Sequence, residues 1–424
     1  MTETAPGGPG DARPDPRPIR AGRIAAWLVW IVGTAFVVFK FFNQSSYAIL
    51  SFGVARTFEL SLEQVGWLGS VYTLAYAVVT FFCGSLFDRY GGRRVLAVGV
   101  AFIIAGATIF STAQTWPALL AGQALMGVGG SFGFPGLAYL VRENFGALRF
   151  GIVFGVAQTV AAFSGAMLQQ LAGLLIHTHS WREFLLMQAA VGVPILLAVV
   201  FLVRPTEASA RLREARGTTG LAASVVRSVR GALKSRIVLE AALVSGVTFA
   251  AISGLGIVWG MRLLEARGFE PTAANSISAM IWMGIGGGAP AVALLAKAIK
   301  SHMRASLAFS LGALISVVAI AGWDQGGMTQ YMVLFFLYGF FGGGASMSGY
   351  TMAAEAADSA VVGSAFSVIT FAGFAISGLM LPIPGYLLDR GVVAGIEAAI
   401  WVYPAALALM IVPMVALRRG ADAR

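Results

Sequence analysis

A lysine inside a long apolar segment is the side chain in this sequence with the clearest capacity for ligand chemistry. Lys40 lies in the apolar run 24–51, and Gln44 and Tyr47 follow it at spacings of four and seven residues. This spacing places the three side chains on one face of a helix. In a membrane an ionised side chain costs at least about 2.5–3.5 kcal/mol, so Lys40 predicts a site whose anionic ligand supplies the counter-charge. The alternative is that the ammonium group extends along its aliphatic stem to the outer interface.

Other polar and aromatic residues fall near the middle of apolar runs and are candidates for lining the same site. They are Asn43, Tyr72, Tyr76, Gln158, Gln169, Ser253, Trp259, Trp282 and Tyr338. For each residue taken singly, contact with a neighbouring helix is the more common use of such a side chain. Tyr72 and Tyr76 are favoured because their spacing of four residues gives them a shared helix face.

The composition indicates that these residues lie in a lipid bilayer. The 424 residues are 58% hydrophobic and 11% charged, and the mean hydropathy is +0.81. Soluble domains average about 45–50% apolar and about 25% charged residues. The sequence therefore predicts an all-α membrane protein and excludes a soluble enzyme. One cysteine and three histidines are too few for a disulfide framework, and neither a metal nor another cofactor is predicted.

The hydropathy pattern predicts twelve membrane-spanning helices, each of which needs about 20 apolar residues. They cover residues 24–51, 64–87, 94–113, 117–141, 150–176, 182–203, 237–262, 272–296, 304–322, 328–352, 361–387 and 392–417. The polar linker 204–236 divides them into two six-helix bundles, 24–203 and 237–417. Residues 1–23, with five prolines, are predicted to form a disordered tail, and residues 418–424 form a short second tail.

The distribution of basic residues predicts the orientation of these helices. With both termini in the cytoplasm, 23 of the 29 Lys and Arg residues fall in cytoplasmic segments, and Lys40 lies inside a span. The five assigned to the outside are Arg56, Arg182, Arg262, Arg267 and Arg390. Such an excess of inner basic residues is typical of a cytoplasmic membrane protein. The basic residues behind the net charge of +10 are therefore explained by membrane topology. They do not predict a nucleic-acid partner.

The two predicted halves contain matching glycine-rich segments. The fourth span contains Gly127-Val-Gly129-Gly130, and the tenth contains Gly342-Gly343-Gly344. Paired six-helix halves with a site between them are typical of transporters in which one half rocks against the other. The alternative is that glycines recur wherever helices pack closely in lipid.

A loop between the second and third spans contains an ordered polar motif. It consists of Gly84, Asp88, Arg89, Gly91, Arg93 and Arg94 in the order Gly-x-x-x-Asp-Arg-x-Gly-x-Arg-Arg. A positively charged cytoplasmic loop explains the arginines, but it does not explain the order of the residues. We expect Asp88 to accept hydrogen bonds from a neighbouring helix N-terminus, or to pair with an arginine, and so to hold one transport state closed.

This loop resembles the signature of the major facilitator superfamily, and with twelve spans the resemblance covers essentially the whole chain. It implies a twelve-helix fold and transport by alternating access. A further resemblance, to the sugar-phosphate-permease and organophosphate-antiporter branch, rests on Phe39-Lys40-Phe41-Phe42-Asn43-Gln44, Leu86–Gly91 and Trp181-Arg182-Glu183. That resemblance implies that Lys40 contacts an anionic substrate. The arginine that these relatives carry in the seventh span has no counterpart between residues 241 and 260.

We therefore expect a monomeric secondary or facilitative transporter that moves a small organic anion across the cytoplasmic membrane. Export of drugs or other amphiphiles is one alternative, although an acidic residue in the outer half of the first span is expected for it and is absent. A membrane sensor with the same fold is another. An ATP-driven pump is not predicted, because the sequence has no Gly-x-x-x-x-Gly-Lys-Ser/Thr segment.

Overall fold

The computed structural model describes residues 23–204, 230–231, 233–356 and 362–422, and within these ranges the chain is helical with no β-strand. Residues 1–22 of the predicted tail 1–23 and most of the predicted linker 204–236 lie outside the described residues. The helices of the first half are α1 (Arg23–Phe58), α2 (Leu62–Thr112), α3 (Trp116–Ser131), α4 (Gly133–Ile176) and α5 (Trp181–Leu202).

The second half contains nine α-helices and one π-helix in its described residues. In chain order they are α6 (Arg236–Ser253), the π-helix Gly254–Trp259, α7 (Gly260–Ala266), α8 (Pro271–Ile299), α9 (His302–Gly322), α10 (Met328–Ala356), α11 (Val362–Met380), α12 (Ile383–Asp389), α13 (Ile396–Ala399) and α14 (Val402–Asp422). Ten helical segments of the described chain are long and apolar enough to cross a membrane. The prediction of an all-α membrane protein is confirmed, and the count of twelve spans stays a prediction.

Helix α2 is too long to be one membrane-spanning helix. Its 51 residues would extend about 77 Å at 1.5 Å per residue, whereas the hydrocarbon core is about 30 Å thick. Gly91 interrupts it with φ 79° and ψ 163°, a conformation that only glycine adopts readily. Gly127 and Gly129 of α3 pack against Tyr72 and Gly99 respectively. Because these two partners lie on opposite sides of Gly91, the chain reverses there, as the tight turn in the sequence motif predicts.

Prolines and glycines shape the end of the second half. The predicted span 361–387 is broken between α11 and α12, where Pro382 and Pro384 cannot donate backbone hydrogen bonds. The predicted span 392–417 begins later than expected, since residues 391–395 are not helical. Gly391 has a positive φ of 64° and Gly395 is extended. These two residues place the start of helical structure at Ile396.

Close helix–helix contacts hold each half together. In the first half, a Cβ atom added at Gly129 would collide with the carbonyl oxygen of Gly99 and lie 2.9 Å from the amide nitrogen of Ile103. In the second half, a Cβ atom added at Gly339 of α10 would likewise collide with the backbone of Ile281 in α8. Small residues of this kind let helix backbones approach each other in lipid, where helix association depends on van der Waals packing.

We predict that Gly129→Ala destabilises the protein, because the added methyl group would force α2 and α3 apart. Overpacking of this kind costs about 1–3 kcal/mol, and the melting temperature of the purified protein should fall. Gly155→Ala is the matched control, since nothing lies within 4 Å of the added Cβ atom there. Equal melting temperatures for the two variants would show that the contact between α2 and α3 is not tight.

Candidate functional site

Lys40 lies inside the helix bundle, where only 1% of its side-chain surface is exposed. Its Nζ atom donates a hydrogen bond of 2.7 Å to Oε1 of Gln44. The two residues therefore share a face of α1, as their spacing predicts. The sequence left open the alternative that the ammonium group extends to the outer interface. In the structure it does not reach the protein surface.

Four aromatic rings surround the Lys40 ammonium group. The distances from Nζ to the ring centroids are 4.4 Å for Phe41, 5.1 Å for Tyr76, 5.3 Å for Phe134 and 5.5 Å for Phe374. A cation near a ring face is attracted by the ring quadrupole, by up to about 2 kcal/mol when it is desolvated. Among the described residues, no carboxylate forms an ion pair with Lys40. Its charge is therefore stabilised by ring faces and by the side-chain oxygen of Gln44.

Two further hydrogen-bond donors near Lys40 are buried and unused. Nε2 of Gln44 and the hydroxyl of Tyr72 have no hydrogen-bond partner among the described residues. A Cβ atom at Gly130 would lie 2.6 Å from the Tyr72 hydroxyl and 3.2 Å from Cγ of Lys40, so both side chains line the same side of Gly130. Leaving a buried donor unsatisfied costs about 1–3 kcal/mol. Together with the ammonium group, these donors form a set that a carboxylate could satisfy.

Asn43 and Tyr47, which the sequence places near Lys40, hold neighbouring helices instead. Asn43 donates to Sδ of Met126 at 3.1 Å and to Oε1 of Gln188 at 3.2 Å. The hydroxyl of Tyr47 donates to the carbonyl oxygen of Val65 at 2.9 Å. The polar groups of both residues are therefore used in contacts among α1, α2, α3 and α5.

Among the site residues predicted in the second half, Trp282 contacts one of the rings around Lys40. Its ring lies 5.9 Å from the ring of Phe41 in an edge-to-face arrangement. Its Nε1 donates to Oε1 of Gln169 at 2.8 Å, and Nε2 of Gln169 donates to Oδ1 of Asn275 at 3.2 Å. This chain of contacts joins α4 of the first half to α8 of the second.

The remaining candidates have other surroundings. Nε1 of Trp259, in the π-helix, donates to the carbonyl oxygen of Leu381 at 2.9 Å, and Ser253 bonds to Ser377 at 2.6 Å. Tyr338 is fully buried in α10, and its hydroxyl has no partner in the described part of the chain. Gln158 is partly exposed on α4. In the described part of the chain, these residues form no hydrogen bond or ring contact with Lys40.

The motif predicted to act as a gate lies at the surface, around the turn at Gly91. Gly84, Asp88, Arg89, Arg93 and Arg94 are exposed, whereas Gly91 is buried. We refer to this end of the molecule as the Gly91 end, and to the opposite end, where α2 begins, as the Leu62 end. The exposed position agrees with a loop, and the gating role of Asp88 stays a prediction.

Of the four rings around Lys40, only that of Tyr76 was predicted from the sequence; the other three rings and one buried cation were missed. Phe41 and Phe134 belong to the first half, and Phe374 of the second half stacks on Tyr76 with a centroid distance of 3.7 Å. Arg262, which the charge count assigns to the outside, is only 9% exposed and donates to Oγ of Ser51 at 2.8 Å. The adjacency of Phe41 to Lys40 was a usable signal, but nothing in the sequence pairs Phe374 with Tyr76.

No cluster of three or more His, Cys, Asp or Glu residues in the described chain could hold a metal ion. A buried cation between two helical halves, under rings from both, is the kind of site expected of a membrane transporter. The chain matches the family model of the Major Facilitator Superfamily over residues 31–382. It therefore belongs to that superfamily, as the loop containing Asp88 predicts, and its apolar helices make it a multi-pass membrane protein.

Individual curated relatives have low sequence identity to this chain. The chain is 26% identical over 224 residues to the tetracenomycin C resistance and export protein of Streptomyces glaucescens, a match that covers 52% of this chain and 38% of that protein. It is 23% identical over 217 residues to the multidrug resistance protein MdtL of Escherichia fergusonii, covering 51% of this chain and 53% of the relative. The chain thus spans about half or less of these curated relatives. The resemblance to the sugar-phosphate-permease branch stays a prediction.

A solved D-xylose–proton symporter shares the fold of this chain. The TM-score is 0.70 at 12% sequence identity, and the match covers 91% of this chain and 96% of the symporter. Agreement over nearly the whole of both chains shows the same arrangement of helices. At this identity the likeness concerns the fold alone.

We predict that Lys40→Met raises the stability of the protein. Methionine fills a similar volume without placing a charge among rings, and replacing even a buried ion pair by apolar residues is often neutral or stabilises a protein by about 1–4 kcal/mol. The melting temperature of the purified variant should exceed that of the wild type. Lys297→Met, at an exposed position on α8, should leave it unchanged. A lower melting temperature for Lys40→Met would mean that the rings and Gln44 fully compensate the ammonium group.

Proposed function

We propose that this protein is a secondary transporter that carries an organic anion with an apolar or aromatic body across the cytoplasmic membrane by alternating access. The observation that carries this proposal is the buried ammonium group of Lys40, which has no carboxylate partner among the described residues. An ionised group in this position is costly. An anionic ligand would offset that cost by supplying the missing charge.

The unused donors support a carboxylate or a similar group as the anionic part of the substrate. A carboxylate has two oxygens that accept about four hydrogen bonds, and the ammonium of Lys40, Nε2 of Gln44 and the hydroxyl of Tyr72 all donate. Hydrogen bonds to charged groups contribute about 1.5–3 kcal/mol each. The surrounding rings of Phe41, Phe134 and Phe374 would contact the apolar part of the same molecule.

Export of an amphiphile is the second candidate function, because the matched relatives carry names of export and resistance proteins. The aromatic surroundings suit an amphiphile of any charge. A cationic substrate would, however, approach the ammonium group of Lys40 without a carboxylate to balance it. We therefore favour an anionic substrate, whichever way it is carried.

We further propose twelve spans, with both termini and the Gly91 end in the cytoplasm. The reversal at Gly91 supports two spans within α2, and the distribution of basic residues supports the orientation. The protein would act as a monomer, because the rings around Lys40 come from both halves of one chain. In this arrangement the substrate binds between the halves, and each half moves as a unit.

The substrate proposal is tested by the binding of aromatic carboxylates to purified protein, measured by thermal shift. A carboxylate that binds should raise the melting temperature of the wild type, whereas the corresponding neutral amide should not. Lys40→Ala should lower the affinity at least about tenfold, the loss expected for one charge-assisted hydrogen bond. Lys297→Ala, which removes an exposed lysine, is the matched control. Equal stabilisation of wild type and Lys40→Ala by a neutral or cationic compound would favour the amphiphile exporter instead.

The gating role of the loop at the Gly91 end is tested by Asp88→Asn. Removing the carboxylate charge should lower the transport rate in reconstituted vesicles about fivefold, because a carboxylate at a helix N-terminus contributes up to roughly 1 kcal/mol when exposed. Asp324→Asn, an exposed substitution elsewhere on the surface, serves as the control. Unchanged transport by Asp88→Asn would rule out gating by this carboxylate.

A further inference from the structure

A carboxylate of the second half binds the first turn of a helix of the first half. Asp389, the last residue of α12, accepts hydrogen bonds from the backbone nitrogens of Leu62 and Glu63 at the start of α2. The distances are 3.3 Å to Oδ1 and 2.7 Å to Oδ2. The partially positive N-terminus of a helix favours an anionic group in this position.

The first turn of α2 satisfies its other free amide groups locally. Ser61 accepts from the amide of Gln64 at 3.3 Å, and the side chain of Gln64 accepts from the amide of Ser61 at 2.9 Å. This capping box is independent of the second half. The first four amides of a helix lack partners within the helix, so the amides of Leu62 and Glu63 are the two left over. Their partner belongs to the other half of the protein.

The two halves approach each other at this point without intervening side chains. A Cβ atom at Gly385 would collide with the backbone of Leu62, and one at Gly66 would lie 2.5 Å from Cα of Pro382. Gly385 precedes Asp389 by four residues, so both lie on the same face of α12. Gly385 therefore allows the close approach, and Asp389 reaches the helix end one turn later.

We propose that Asp389 is a gating residue that holds the Leu62 end closed, and that its release accompanies opening of this end during transport. The inference rests on the alternating-access cycle proposed above, but not on the nature of the substrate. The sequence around it, Gly385-x-x-x-Asp389-Arg390, repeats the order Gly84-x-x-x-Asp88-Arg89 of the loop at the Gly91 end. The same short pattern would then serve opposite ends of the transporter.

The exposure of the contact makes this closure reversible. Asp389 is exposed, and Leu62 and Glu63, whose amides it binds, are partly exposed. Water can replace each partner when the halves separate, so opening leaves no polar group stranded. A second contact between the halves, from Arg262 of α7 to Ser51 of α1, lies at the same end but is buried. Of these two contacts between the halves, the Asp389 contact is therefore the one that dissolved salt can weaken by screening.

The experiment measures how readily a buried position below the contact becomes accessible. Thr73 of α2 is fully buried, and a Cβ atom at Gly378 of the second half would lie 2.8 Å from its Oγ1 atom. Thr73→Cys is made in a Cys83→Ser background, which removes the single native cysteine. Cells are treated with a membrane-impermeant thiol reagent without added substrate. Labelling then reports opening of the Leu62 end, whatever the transporter carries.

We expect Asp389→Ala to increase the labelling rate of the Thr73→Cys reporter about fivefold, the order of effect of an exposed carboxylate at a helix N-terminus. Asp389→Glu, which keeps the carboxylate, should restore most of the slow labelling. Gly385→Ala should also accelerate labelling, because it prevents close approach of the halves. Glu270→Ala is the matched control, since Glu270 precedes α8 without forming a side-chain cap, and it should have no effect.

A salt series tests the same contact without altering Asp389. Raising the ionic strength from about 0.05 M to about 0.5 M shortens the screening length severalfold and should accelerate labelling of the reporter while Asp389 is present. Asp324→Cys lies in the exposed turn between α9 and α10, on the same side as the Leu62 end in the proposed topology, and its labelling shows that the reagent reaches that side. Labelling of Asp389→Ala at the parent rate, or labelling of the parent that does not respond to salt, would overturn the proposal. Neither result would bear on anion binding at Lys40.

Discussion

Burial of one ammonium group between the two halves is the constraint on which the rest of the site depends. Lys40 has exchanged hydration for the oxygen of Gln44 and for ring faces. Phe41 and Phe134 belong to the first half, and Phe374 belongs to the second. Because both halves contribute, the surroundings of the charge change whenever the halves move apart. A ligand bound at this charge would therefore be coupled, through the same few side chains, to any movement of the halves.

The contacts within each half differ in kind from those between the halves. Within a half, glycines such as Gly129 and Gly339 bring helix backbones into direct contact, and these contacts offer no site at which water could replace them. Between the halves at the Leu62 end, the closure includes exposed hydrogen bonds from Leu62 and Glu63 to Asp389. The first kind of contact favours rigid units, and the second allows the units to separate at low cost.

The sequence predicted features that follow from local pattern. The shared face of Lys40 and Gln44 followed from helical periodicity, and the turn at Gly91 followed from the order of charged residues and glycines. Superfamily membership followed from the same loop. The helical fold followed from composition and from the length of the apolar runs.

Features that depend on pairing between distant segments could not be predicted in this way. Phe374 reaches Tyr76 from the other half of the chain, and helical periodicity carries no information about which helices meet. Arg262 is the last residue of the predicted span 237–262, so the charge count placed it outside, although α7 continues past it to Ala266. Asn43 and Tyr47 have the right spacing, but neighbouring helices already use their hydrogen bonds.

The π-helix Gly254–Trp259 gives the seventh predicted span an unusual mechanical property. A π-turn accommodates about one residue more than the α-helix around it, and each residue of an α-helix corresponds to a rotation of 100° and a rise of 1.5 Å. Conversion of this segment to α geometry would therefore twist α7 about its own axis by roughly 100°. Arg262 would turn away from Ser51 without any bend in the helix. A change from π to α geometry in this one span would thus rearrange the interface while the rest of each half keeps its packing.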